Sequence, residues 1–222
     1  MQAQSCIMEI KKIIDLSVTM RDGMPVWPGN NEVKIDVLTS QDGHVAERYS
    51  SITHSGTHVD APLHFIPGGS TVERIPLETL IGNGFVIRPE PEGKEITARS
   101  LGKAWKDYFD GNIILINTGW DVKRSFSREF QEDFPGLSED GAKFIIDHGV
   151  KFLGIDTLGI EPYDHREFPV HKILLGKNIP FIEDLCNLQS LQDGKKYLIV
   201  ALPLKIGDGS GSMARVVALD IY

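Results

Sequence analysis

Apolar residues in this chain fall mostly into short runs, spaced as strands space them. Residues 33–38 alternate, with Val33, Ile35 and Val37 on one side, which predicts a half-buried strand. Residues 13–18, 48–53, 84–88, 152–155, 180–183, 197–204 and 216–220 also read as strands. The run Asn112-Ile113-Ile114-Leu115-Ile116-Asn117 is apolar between its asparagines, the pattern of a strand buried on both faces. Helical spacing is rarer. It predicts helices over 100–109 and 169–175, the latter ending at Gly176, and a single turn at 76–80. A further helix over 139–148 has Ser138 as its N-cap and Gly149 as its stop. Phe126, Phe130 and Phe134 predict an amphipathic helix within 120–135, serving as core packing, pocket wall or subunit contact. Gly23, Pro25, Pro28 and Gly29 make 21–31 a loop, Pro67-Gly68-Gly69 marks a turn, and 207–211 is a flexible loop. The strand–helix–strand order across 112–155 favours a mixed or parallel sheet in an α/β fold with more strand than helix. The topology stays open at this level.

Composition narrows the class. The 222 residues suit a single domain over 1–222, large enough to bury a core without disulfides. The formal net charge of −8, with no Lys/Arg cluster, argues against nucleic acid as a partner. Cys6 and Cys186 form no closely spaced pair, so two reduced thiols in the cytoplasm are expected. No signal-like run opens the chain, and no stretch approaches the ~20 apolar residues of a membrane span.

The chemistry gathers in one segment: Thr53-His54-Ser55-Gly56-Thr57-His58-Val59-Asp60-Ala61-Pro62-Leu63-His64. Imidazole nitrogen and carboxylate oxygen are the ligands that zinc and other divalent first-row metals prefer. Gly56, Thr57, Val59 and Pro62 disfavour a helix, so a strand running into a tight loop is expected. In such a strand His58 and Asp60 point to the same side. Gly56 lets the backbone bend to bring His54 in. Without cysteines nearby, the set fits an open catalytic centre better than a closed structural one. Scattered polar loop residues are the rival reading of the same pattern.

This segment resembles the signature of the cyclase-like metal-dependent hydrolases, a family that includes bacterial kynurenine formamidases and isatin hydrolases. Further stretches agree with it: Asp15-Leu16-Ser17, Pro25-Val26-Trp27-Pro28-Gly29, His171 with Glu183, Ala201-Leu202-Pro203-Leu204, and Gly207-Asp208-Gly209-Ser210 with Ala214-Arg215. The resemblance implies a swivelling β/β/α fold with a mixed sheet, and a homodimer or homotetramer acting on a small molecule. It implies His54, His58 and Asp60 around one metal, with Asp60 bridging to a second held by His171 and Glu183. His64 would be the general acid/base, and Trp27 would line the substrate pocket. The metal would be zinc, with manganese as the alternative, one or two ions in all. The implied activity is arylformamidase, N-formyl-L-kynurenine to formate and kynurenine, a step of tryptophan catabolism. An isatin-like lactam or other cyclic amide is the alternative substrate. Gly211-Ser212-Met213 stands where the family often has Ser-Pro before a basic residue, a departure that bears on substrate identity.

Rivals of other classes are a non-catalytic metal- or small-molecule-binding module and a serine hydrolase. No G-x-S-x-G elbow supports the latter. Taken alone, His171 on a helix reads as an ordinary surface or core residue, and Glu183 at a strand end as a solvated one. His44, His148 and His165 match no motif position and are read as non-ligands, although His165 could approach the pocket from the loop before His171.

Overall fold

The structure is a computed structural model that describes residues 9–221. Cys6 lies outside those residues, and Cys186 is a free thiol. The described residues form twelve strands: β1 (Ile10–Asp15), β2 (Lys34–Thr39), β3 (Val45–Ser50), β4 (His58–Asp60), β5 (Ile81–Ile87), β6 (Glu95–Ile96), β7 (Ile113–Ile116), β8 (Gly136–Leu137), β9 (Phe152–Ile155), β10 (Phe181–Glu183), β11 (Tyr197–Pro203) and β12 (Gly211–Ile221). The helices are α1 (Leu77–Leu80), α2 (Ala98–Ala104), α3 (Arg128–Glu132), α4 (Glu139–Asp147) and α5 (Pro169–Gly176).

Eight strands form one mixed sheet in the order β1-β12-β11-β5-β7-β9-β10-β4. The segment β5-β7-β9-β10 is parallel, and the other pairings are antiparallel. β12 is long enough to pair twice along one edge. Its start, Gly211–Met213, pairs with β4, and its end pairs with β1. Because β4 also pairs with β10, the sheet closes on itself.

Alternation along the parallel strands divides the core in two. Val86, Leu115, Phe152 and Ile182 point into the closed sheet, where Ile199 and Ala218 meet them. Phe85, Ile87, Ile114, Ile116, Leu153 and Phe181 point outward, under Leu101 of α2, Ile145 of α4 and Leu174 of α5. Both faces of β7 are therefore buried, as its unbroken apolar run predicts. Ser138 caps α4 by accepting from the Gly141 amide, and Gly149 follows in the left-handed region at φ 67°.

Several expectations shift. The helix over 120–135 does not form as one piece. Trp120–Lys123 is a 3-10 turn and only Arg128–Glu132 is α-helical. Phe130 and Phe134 are fully buried while Phe126 is 70% exposed, so tertiary contacts and not helical spacing place these rings. The last strand runs eleven residues instead of five because one of its edges serves two partners, β4 and β1, while the other pairs with β11. The strand expected at 48–53 is β3, ending at Ser50, and the helix expected over 100–109 stops at Ala104, before a 3-10 turn. The alternation in 33–38 does produce a strand, but β2 and β3 make an outlying hairpin on which Val37 and Val45 are exposed.

A candidate metal centre where the sheet closes

The closing strand β4 carries the centre. Its period of two sends His58 and Asp60 to the same side, and both are buried. Register against β10 places Glu183 directly opposite His58. Register against β12 places Gly211 opposite Asp60. A Cβ at Gly211 would lie 2.4 Å from His54 Cε1, so the missing side chain makes room for that ring. His54 arrives through the bend at Gly56, whose φ is 64°. His64 ends the 3-10 turn Pro62–His64 and stacks on His54 at 3.9 Å between centroids. His171 enters from α5, two residues after the helix starts at Pro169.

The polar atoms converge. His58 Nε2 lies 3.3 Å from Asp60 Oδ1 and 3.4 Å from Glu183 Oε2. His171 Nε2 lies 3.3 Å from Glu183 Oε1 and 3.7 Å from Asp60 Oδ2. His64 Nε2 lies 3.6 Å from Asp60 Oδ2, and His54 Nδ1 lies 2.7 Å from Asp60 Oδ1. Most of these separations are long for hydrogen bonds. They match instead the spacing of neighbouring ligands about 2.1 Å from one tetrahedral cation, roughly 3.4 Å apart. Asp60 Oδ2 is buried without a hydrogen-bond partner, which costs free energy unless a cation faces it. A divalent metal therefore fits these residues. Two overlapping triads could hold one: His54, Asp60 and His64, and His58, Asp60 and Glu183. Asp60 is common to both.

Three of the rings, those of His54, His58 and His171, are held from behind. His58 Nδ1 donates to the Gly56 carbonyl at 2.7 Å, which leaves Nε2 as the lone-pair nitrogen. His171 Nδ1 donates to Glu161 Oε1 at 2.6 Å, with the same consequence. Ser210 Oγ sits 3.0 Å from His54 Nε2. The Ile160 amide donates to Glu183 Oε1 at 2.6 Å. Burial alone would push His58 and His171 down. Contacts with carboxylates, Asp60 and Glu183 for His58 and Glu161 and Glu183 for His171, outweigh it and raise both to about 10 when no cation is present. Burial, reinforced by the His54 and His171 rings and opposed by Asp60, pushes His64 down to about 4. His64 is therefore neutral near pH 7.

Above this floor lies a cavity of about 220 Å³. Val26, Trp27, Ile52, Phe65, Leu158 and Phe168 give it an apolar wall, and Asn30, Ser55 and Asp184 supply polar edges. Trp27 is fixed by Phe134, Tyr163 and Phe168, with ring centroids 5.3–5.9 Å away. Phe168 and Asp184 both line the cavity with left-handed backbones, at φ 51° and 60°, and such strain concentrates at functional sites.

The structure thus brings together all seven residues singled out from the sequence: His54, His58, Asp60, His64, His171 and Glu183 in the floor and Trp27 in the wall. His165 does not line the cavity; its Nε2 meets Glu95 Oε1 at 2.6 Å. His44 is exposed beside Asp42, and His148 Nδ1 donates to the Phe144 carbonyl. Glu161, Ser210 and Gly211 had no assigned role. Ser210 and Gly211 lie in the C-terminal stretch already noted, and no motif marks Glu161, which meets the first turn of α5.

Fold and site together define a class: a closed mixed sheet that presents histidines and carboxylates to a divalent metal beneath an aromatic cleft. The chain belongs to the Cyclase family, described as "Putative cyclase", which matches residues 14–162. Among its relatives, the kynurenine formamidase of Erythrobacter litoralis (strain HTCC2594) is 29% identical over 215 residues, 95% of each chain. A solved structure described as a "predicted metal-dependent hydrolase" from Bacillus stearothermophilus is 30% identical, with a TM-score of 0.79 over 97% of this chain and 100% of that one. Isatin hydrolase A from Ralstonia solanacearum is 28% identical, with a TM-score of 0.80 over 94% of this chain and 91% of that one. Among the described residues, no helix is long and apolar enough to cross a membrane.

Proposed function

We propose that this chain is a single-domain cytoplasmic arylformamidase, a homodimer or homotetramer that converts N-formyl-L-kynurenine and water to formate and kynurenine. The broader class is a metal-dependent hydrolase of non-peptide amide C–N bonds, in keeping with its formamidase and isatin hydrolase relatives. The observation that carries the reading is the orphaned Asp60 Oδ2, buried among imidazoles and a second carboxylate spaced as the ligands of one cation are. His54, His58, Asp60, His171 and Glu183 would hold one or two divalent ions, zinc first and manganese second. When bound, such an ion lowers the pKa of a coordinated water towards ~7 and polarises a carbonyl.

The chain's own groups do the rest. His64, neutral and partly open to the cavity, takes a proton at Nε2 from the attacking water. It returns that proton to the leaving aryl nitrogen, which departs as an amine. Trp27, Phe65 and Phe168 hold the aryl ring and exclude water from the bond being cleaved. Ser55 and Asp184 offer hydrogen-bonding partners beside it.

A cyclic amide such as isatin is the second reading, and one observation favours it. No Lys or Arg is among the described residues lining the cavity, so no cation awaits an amino-acid carboxylate. The test is elemental analysis of the purified protein followed by hydrolysis assays on N-formyl-L-kynurenine and isatin, with and without chelator. Metal-dependent turnover of the formamide supports the first reading, and turnover of isatin alone transfers the assignment to the second. Metal bound without turnover of any aryl formamide or cyclic amide would leave a binding module.

A further inference from the structure

Glu161 is fully buried, yet it lies outside the set of groups facing the cavity. Its carboxylate is surrounded by donors. Oε1 accepts from the His171 amide at 3.0 Å and from His171 Nδ1 at 2.6 Å. Oε2 accepts from the Val170 amide at 3.0 Å and lies 3.4 Å from His165 Nδ1. One carboxylate thus caps the first turn of α5 and grips the ring that α5 delivers. The backs of the other rings are met differently: His58 by a backbone carbonyl and His54 by a hydroxyl. Only His171 among these three has a buried carboxylate behind it that does not itself face the centre.

We propose that Glu161 is the positioning residue of the half of the centre formed by His171 and Glu183. By accepting from Nδ1 it holds His171 in the tautomer whose Nε2 lone pair faces Glu183 and Asp60. By capping α5 it fixes the direction from which that lone pair arrives. Its negative charge makes the imidazole a stronger donor to a cation than a neutral acceptor would. The inference rests on the metal-centre reading above and assigns within it a residue that no motif marks.

The test compares wild type, Glu161→Gln and His171→Ala, each stripped with chelator and titrated with zinc against a chromophoric competitor. Glu161→Gln keeps an acceptor oxygen for one of the two helix amides and removes the charge. Its zinc affinity at the weakened site should fall about 10- to 100-fold. A site formed by His54, His58 and Asp60 should keep wild-type affinity. His171→Ala should lose the same ion altogether. Long-range proton–nitrogen NMR of zinc-loaded wild type should show His171 protonated at Nδ1, a readout independent of any variant's folding. An Nε2-protonated His171, or wild-type affinity in Glu161→Gln while His171→Ala loses zinc, overturns the role of Glu161 alone. Wild-type affinity in His171→Ala overturns the two-lobed metal centre itself, and the inference falls with it.

Discussion

The floor and the wall of the cavity are built by different means. Half of the floor, His58, Asp60 and Glu183, stands on β4 and β10, three-residue strands that are buried along their whole length and locked in register from both sides. A one-residue slip of β4 would send His58 and Asp60 to the opposite face, so closing the sheet and assembling the centre are one event. The wall comes from loops: Val26 and Trp27 before β2, Ile52 after β3, Leu158 after β9, and Phe168 before α5. Side-chain packing among aromatic rings holds it, with no strand register beneath. The carboxylates and His58 thus sit on the sheet, the other floor rings dock against it from a turn, a bend and α5, and the part that selects a substrate sits where the backbone can vary.

If that division is right, substitutions in the floor and in the wall should fail in different ways. Asp60→Asn removes the carboxylate common to both ligand sets. Bound metal by elemental analysis should fall to background, and kcat/KM should drop at least ~10³-fold, the equivalent of about 4 kcal/mol. Retained metal would mean that Asp60 is not the shared ligand. His64→Asn should keep the metal and lose about 10²-fold or more in kcat. Loss of metal in that variant would move His64 into the ligand set, a place its spacing to Asp60 also permits. Gly211→Ala forces a methyl against His54 and should destabilise the fold by about 1–3 kcal/mol in chemical denaturation.

In the wall, Trp27→Ala should raise KM about tenfold, roughly 1.4 kcal/mol, with metal content unchanged. A collapse of metal binding there would erase the distinction between floor and wall. A separate effect concerns pH. His58 and His171 are raised from 6.5 to about 10 in the metal-free protein, so the stability they contribute is fully present below about pH 6.5 and lost as pH rises towards 10. The melting temperature of chelator-treated protein should fall between pH 7 and 10. Metal-loaded protein should lack that fall, because the cation has already displaced those protons.

Much of the fold was legible because local pattern and burial agree. The unbroken apolar run of β7, the Ser138 cap of α4 and the turn at Pro76 depend on neighbours within a few residues. The 120–135 segment misled because Phe130 and Phe134 answer to Trp27, Leu158 and Tyr163, which lie far away in sequence, while Phe126 stays exposed. The centre divides the same way. Chain order determined that His58 and Asp60 share a side, since a strand alternates, and that Gly56 can turn the backbone to bring His54 close. It could not determine that Glu183 stands opposite His58, that Gly211 clears space for His54, or that Glu161 grips His171. Those relations join residues 10 to more than 150 positions apart. Gly211 reaches His54 because β12 is long enough to meet β4, and Glu183 meets His58 because β10 pairs with β4; both are matters of strand register that no local pattern encodes.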